Sequence, residues 1–264
     1  MLNFNLKRLQ ALFYREFHFG YKPILKILTT VTTVIFLVHF AIRFLERNSG
    51  NFQGNDEINS TMIKFAIILF LGGFYYASIA FREFSNLSTR AEFLALPGSS
   101  LEKITIKWLY TNPIFILTTS LLVFILASLL MPAMDRFVGQ EYVNEIFTSR
   151  IYWNLVGIYF ILHSIFFFGS IAFNKTSWIK TVLAVMIIAL VIAALNAVWF
   201  RIVWADMFDG LFHVAEVNKR TEFGVNHEDP ADMWQIKFFI FAFKYLLAPV
   251  LWVASLFKLS EKEV

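Results

Sequence analysis

The residues best placed to do chemistry lie in one short polar segment between two hydrophobic runs, Arg90-Ala91-Glu92-Phe93-Leu94-Ala95-Leu96-Pro97-Gly98-Ser99-Ser100-Leu101-Glu102-Lys103. The chemistry it could do is recognition. The front half reads as a short helix with Phe93 and Leu96 on one side, and Pro97-Gly98 breaks it. Ser99 followed three residues later by Glu102 forms a capping box that opens a second helix. A short amphipathic helix beside a membrane is a handle for a partner. The same loop also reads as a well-capped connector and nothing more.

Motifs for bond-making are missing. No Gly-Lys-Ser/Thr of a phosphate-binding loop, no His-Glu-x-x-His zinc motif and no Gly-x-Ser-x-Gly elbow occurs. The absence of Cys removes disulfides, thiolate metal ligands and a cysteine nucleophile. His18, His39, His163, His213 and His227 are not paired at ligand spacing, so no metal site is expected. His227-Glu228-Asp229 could meet a divalent cation, but three adjacent polar residues are more often simply solvated. Nor is a cofactor expected on this chain.

These residues must be held by membrane helices. The chain has 264 residues, 58% hydrophobic, with 32 Phe and a mean hydropathy of +0.62. A spanning helix needs roughly 20 mostly apolar residues. Six runs qualify, at about 25–45, 62–82, 108–131, 151–173, 178–199 and 235–257. In lipid such runs are helical, because a helix satisfies its own backbone, and the alternating pattern of a barrel is absent. The expected fold is an all-α integral membrane protein, one domain over 1–264.

Lysine and arginine set the orientation. With the N-terminus inside, the inner segments carry 13 bases and 6 acids, and the outer loops 7 bases and 13 acids. Both ends are therefore expected in the cytoplasm. The seven tryptophans fall near span ends, where an amphipathic ring sits well. The N-terminal stretch lacks the small-residue cleavage site of a signal peptide. Leu2, Leu6, Leu9, Phe13 and Phe17 recur at helical spacing, with Lys7, Arg8 and Arg15 on the other faces. That predicts an amphipathic helix over 1–24 lying in the inner interface against membrane lipids.

The longest loop, about 200–234, is acidic and expected outside. Within it Phe208, Leu211, Phe212 and Ala215 mark a short helix. A re-entrant element and a solvated loop are both open readings.

Three polar residues within spans are candidate pathway groups. Lys244 lies mid-way along the sixth span, and an intramembrane lysine is a functional hypothesis by default. Snorkelling, or pairing with a carbonyl freed near Pro249, is the competing reading. His163 and Asn196 are expected to hydrogen-bond between helices. Gly72-Gly73 suggests close helix packing.

Taken together, the chain resembles the permease subunit of type-2 ABC transporters, the ABC-2 family. Those permeases share an interfacial N-terminal helix, six spans, both ends inside, a long last external loop and a cytoplasmic coupling helix between the second and third spans. The coupling helix is usually worded as Glu, a Leu run, Pro, an aliphatic residue, Ser, a variable pair, an acidic residue and a Lys opening the third span. Glu92, Leu94, Leu96, Pro97, Ser99, Glu102 and Lys107 stand in that order. Gly98 replaces the aliphatic residue and Ser100 a common basic one. Ser85-Asn86-Leu87-Ser88-Thr89 replaces an Arg/Glu-rich lead-in.

The resemblance implies an exporter of the bacterial cytoplasmic (inner) membrane. Two permease copies, or a copy and a paralogue, would form a pathway lined by spans 1, 2 and 5. Separate ABC ATP-binding subunits would bind ATP and Mg and push on the coupling helix. Phe93, Leu94, Leu96 and Leu101 would fill a groove on the ATPase, Glu92 and Glu102 would pair with its rim, and Pro97 and Ser99 would set the angle between the two short helices. Lys103 belongs to the same docking set. This chain would not be an enzyme, and no nucleic-acid partner is expected. A non-transporting scaffold using the same loop is the alternative. An intramembrane enzyme ranks last, since no convergent set of ionisable residues is visible at mid-bilayer.

Overall fold

A computed structural model of the chain describes residues 5–48, 57–134, 147–173, 175–203, 237–238 and 241–263. The acidic loop with its short helix, and His227-Glu228-Asp229, lie outside these residues. All regular elements among the described residues are helices. Five are long and apolar enough to cross a membrane: Thr61–Ser78, Ser100–Leu129, Arg150–Ala172, Ser177–Trp199 and Ala242–Glu263.

The expected first span, 25–45, is helical, but only Leu28–Ile42 is strongly apolar. It belongs to α1 (Leu6–Asn48), one unbroken helix of 43 residues. From Leu6 onward, the stretch expected as an interfacial helix, 1–24, runs unbroken into the first span and forms nearly half of α1. The reason is tertiary. Leu9 and Leu12 pack on Ile106, Tyr110 and Ile114, so the face that could have lain on lipid is used against another helix. Leu6 and Phe17, placed on that apolar face by spacing, are exposed.

Helix α2 (Glu57–Ile67) continues through a π-turn at Ile68–Gly72 into α3 (Gly73–Ser78). A 3₁₀ turn, Arg82–Ser85, leads to α4 (Leu87–Leu94). Helix α5 (Ser100–Leu109) passes through a π-turn at Tyr110–Ile114, around Pro113, into α6 (Phe115–Met134). Then come α7 (Arg150–Ala172), α8 (Ser177–Val203) and, after a π-turn at Ala242–Leu246, α9 (Leu247–Glu263).

The chain divides into two compact units, 1–178 with 247–264, and 179–246. In the first, an aromatic-rich core joins α1, α2, α6 and α7 around Phe36, Phe65, Leu69, Val123 and Tyr159. A second core gathers Phe81, Phe84, Phe93, Phe167, Ile171 and Leu259 beneath the α4–α5 turn. In the second unit the run of α8 from 185 to 199 exposes apolar side chains on every face. A helix apolar all round needs lipid or protein around it.

Candidate functional site

The Arg90–Lys103 segment is a turn tied down from three directions. Its second half is not a separate short helix: Ser99 caps α5 directly, and α5 is the start of the third long helix. The Ser99 Oγ accepts from the Glu102 N–H (3.3 Å), and Glu102 Oε2 accepts from the Ser99 N–H (2.9 Å), the reciprocal pair of a capping box. The other carboxylate oxygen of Glu102 accepts from the Asn5 N–H (2.6 Å) and from Arg8 (3.3 Å). One buried carboxylate therefore caps α5 and anchors the start of α1. Gly98 allows this approach, since a Cβ there would stand 2.9 Å from Leu12 Cδ1 and 3.3 Å from Glu102 Oε2.

The C-terminal end of α9 makes the second tie. Lys103 Nζ donates to Glu263 Oε1 (2.9 Å) and to the Leu94 carbonyl (3.3 Å), and Ser100 Oγ also bonds Glu263. Lys262 Nζ donates to the Ile171 carbonyl (2.6 Å). Both described chain ends thus meet the α4–α5 turn at the same end of the bundle.

Phe93 is the third tie. It is 2% exposed and packs edge-on against Phe81 and Phe84, with the ammonium groups of Lys103 and Lys107 about 5.5 Å from its ring. Burying such a ring stabilises the turn by roughly 1.5–3 kcal/mol.

The docking residues expected from sequence therefore separate into two groups. Phe93, Glu102 and Lys103 are buried and engaged by the chain itself: Phe93 sits in the aromatic core, Glu102 holds the Asn5 N–H, and Lys103 holds Glu263. Leu94, Leu96, Ser99 and Leu101 are half-buried, with Leu96 packed toward both α1 and the aromatic core. Glu92 and Pro97 are exposed, and so are Asn86, Leu87, Ser88, Ala91 and Ala95. Leu87, 85% exposed, is not among the docking residues that the resemblance points to. Its signal was available: an apolar residue one turn before Ala91 and two before Ala95, on the face opposite Phe93.

Beneath the turn sits a buried ion cluster. Lys107 Nζ donates to Glu16 Oε1 (2.7 Å) and Glu83 Oε1 (2.6 Å), joining α1, the 3₁₀ turn and α5. It forms one end of a cavity of about 790 Å³ between α1, α2–α3 and α5–α6. Arg15 and Arg82 line the same charged end, Tyr75, Tyr76 and Tyr110 the middle, and Val31, Ile67 and Leu71 the apolar end. The π-turns at Ile68–Gly72 and Tyr110–Ile114 both contribute to its wall. Such turns shift side chains off the regular helical register and often mark functional sites.

His163 is buried in α7 beside this wall. Thr111 Oγ1 donates to the Lys107 carbonyl (2.8 Å), so it accepts from His163 Nε2 (2.9 Å), and Asn112 Nδ2 meets His163 Nδ1 at 3.4 Å. The network assigns the Nε2–H tautomer. Tyr159 OH donates to the Thr111 carbonyl (2.9 Å), so three hydrogen bonds fasten α7 to the π-turn. His163 does not line the cavity.

The remaining two pathway candidates engage locally. Asn196 Nδ2 donates to the Ile192 carbonyl of its own helix (2.8 Å), not across helices, because its stretch of α8 is exposed on all faces within its unit. Lys244 lies exposed in the Ala242–Leu246 π-turn, with Nζ 5.5 Å from the Tyr245 ring, and not on a carbonyl near Pro249. Among the described residues no cluster of His, Asp and Glu could hold a metal ion.

No family model matches the chain, and no curated protein or solved structure matches it either.

Proposed function

We propose that this chain is the transmembrane permease subunit of an ATP-driven transporter of the ABC-2 type, acting as an exporter and as a dimer. Separate ATP-binding subunits would dock on the exposed face of α4 and its following turn, at the cytoplasmic face of a bacterial inner membrane. The observation that carries this reading is the mounting of the turn. Its outer face (Leu87, Ala91, Glu92, Ala95, Pro97) is exposed, and its inner face is fastened to α1, α5 and α9 by Phe93, Glu102 and Lys103.

A connector with no task needs no such fastening. A lever does, because a push on it must not be absorbed by the loop. Displacing α4 would move Phe93, and with it the Lys103 and Lys107 ammonium groups that rest on its ring. Lys107 is tied to Glu16 on α1 and Glu83 below α3, and the π-turn of α5–α6 begins three residues on. A contact at α4 would thus reach three long helices through rigid links.

The test is a tagged pull-down from native membranes, comparing wild type with Leu87→Asp plus Glu92→Lys. Both positions are exposed, so the variant keeps the fold. The expected result is an ATP-binding subunit captured by wild type and lost from the variant at equal membrane abundance. Failure of wild type to capture any ATP-binding subunit, or equal capture by both, would overturn the reading.

A further inference from the structure

We propose that the cavity between α1, α2–α3 and α5–α6 is a binding site for one anionic phospholipid of the surrounding bilayer. The inference does not rest on the permease reading. It rests on how the cavity's lining is graded. At about 790 Å³ it lies in the roughly 300–1,000 Å³ range of ligand sites. One end is charged, the middle is tyrosine, and the far end is aliphatic. That sequence of surfaces matches a headgroup, a glycerol region and acyl chains.

The dimensions agree. Ile67 and Arg82 mark the two ends along α2–α3 and the turn after it: Ile67 to Ser78 is eleven residues, roughly 16 Å at helical rise, and the turn to Arg82 carries the lining further toward about 20 Å. Half of a bilayer with its headgroups is roughly 20–22 Å thick. Val31, Ile67 and Leu71 line the apolar end and are exposed, which leaves it open sideways to the hydrocarbon for chains to enter.

The sign of the headgroup follows from the charges that face the site. Lys107 is consumed by Glu16 and Glu83. Arg15 and Arg82 line the same end and form no ion pair among the described residues. Arg15, Arg82 and Lys107 against Glu16 and Glu83 leave this end net positive by one, and its two guanidinium groups suit a phosphate, which arginine binds with paired hydrogen bonds. Tyr110, buried and lining the cavity, has a hydroxyl without a hydrogen-bond partner among the described residues. An ester or phosphate oxygen would give it one.

The experiment uses the purified full chain in detergent, with phosphatidylglycerol or phosphatidylcholine of identical acyl chains added, and lipid occupancy read by native mass spectrometry. Wild type is expected to hold one phosphatidylglycerol, favoured over phosphatidylcholine by about tenfold or more. Arg82→Glu is expected to abolish the preference, and Arg82→Lys to keep part of it. Val31→Trp, which fills the aliphatic end, is expected to lower occupancy by both lipids. Both positions are exposed, and melting temperature checks the fold. Wild type without headgroup preference, or Arg82→Glu and Val31→Trp with wild-type occupancy, would overturn the proposal. No nucleotide or partner protein enters the measurement, so its failure leaves the permease reading to its own test.

Discussion

Replacing Gly73 by alanine tests the packing that holds the cavity wall together. A Cβ at position 73 would stand 2.3 Å from Tyr159 Cε2, 2.6 Å from its hydroxyl and 2.8 Å from Cζ. Carbon atoms pack at roughly 3.5–4.0 Å, so the ring has to retreat by more than about 1 Å. It has little room: Tyr159 is fully buried, lies 6.2 Å from Phe74 and 6.0 Å from Phe115 between ring centroids, and donates to the Thr111 carbonyl at 2.9 Å. Overpacking of this kind costs about 1–3 kcal/mol. Losing the buried hydrogen bond costs a further 1–3 kcal/mol or so. Alanine returns about 1 kcal/mol in helix propensity. The net destabilisation is about 3 kcal/mol by this reckoning. The neighbouring Gly72→Ala is the control, because its Cβ would meet only Phe115 Cζ at 3.4 Å. Thermal unfolding of both proteins in the same detergent, followed by circular dichroism, gives the comparison. Gly73→Ala should melt well below wild type and Gly72→Ala at or above it, and the Gly73→Ala penalty should vanish in a Tyr159→Leu background. Equal melting of the two alanine variants would refute the reasoning.

Three further perturbations follow from the same structure. Lys107→Met leaves Glu16 and Glu83 facing each other without their shared cation, and should destabilise by about 3 kcal/mol in chemical unfolding, partly recovered by adding Glu83→Gln. Glu102→Ala removes the acceptor for the Ser99 and Asn5 N–H groups and should cost about 2–3 kcal/mol in the same assay, whereas Glu92→Ala, on the exposed face, should stay within about 0.5 kcal/mol of wild type. Thr176 has φ 52°, a left-handed conformation that a β-branched residue adopts at a cost, so Thr176→Gly should raise the melting temperature, by about 1 kcal/mol in stability.

What could be read from sequence was what local physics decides. Long apolar runs have to be helices in lipid, and five of the six expected spans reappear as helices of that kind. The capping box was legible because Ser99 and Glu102 are three residues apart and meet wherever the chain turns there. Gly72-Gly73 announced a close approach, though not that only Gly73 makes it or that Tyr159 is the partner.

What stayed hidden depends on residues far apart in the chain. Glu102 looked like a surface charge, and its burial is explained only by Asn5 and Arg8, more than 90 positions away. Lys103 finds Glu263, 160 positions on. Phe93 looked like a docking knob, but an aromatic on an amphipathic helix serves its own core as readily as a partner's. The continuity of α1 through 6–48 was obscured for the same reason: amphipathic spacing cannot say whether the apolar face lies on lipid or on Ile106 and Tyr110.

The most direct test of the proposed function exploits the absence of native cysteine. Glu92→Cys places a single thiol on the exposed face of α4, and a short thiol-to-amine cross-linker in native membranes captures whatever protein touches it. The account predicts one dominant product containing an ATP-binding subunit, its yield changing when ATP or a non-hydrolysable analogue is present. A thiol that cross-links to no ATP-binding subunit, under conditions where a reporter dye labels it fully, would contradict the account.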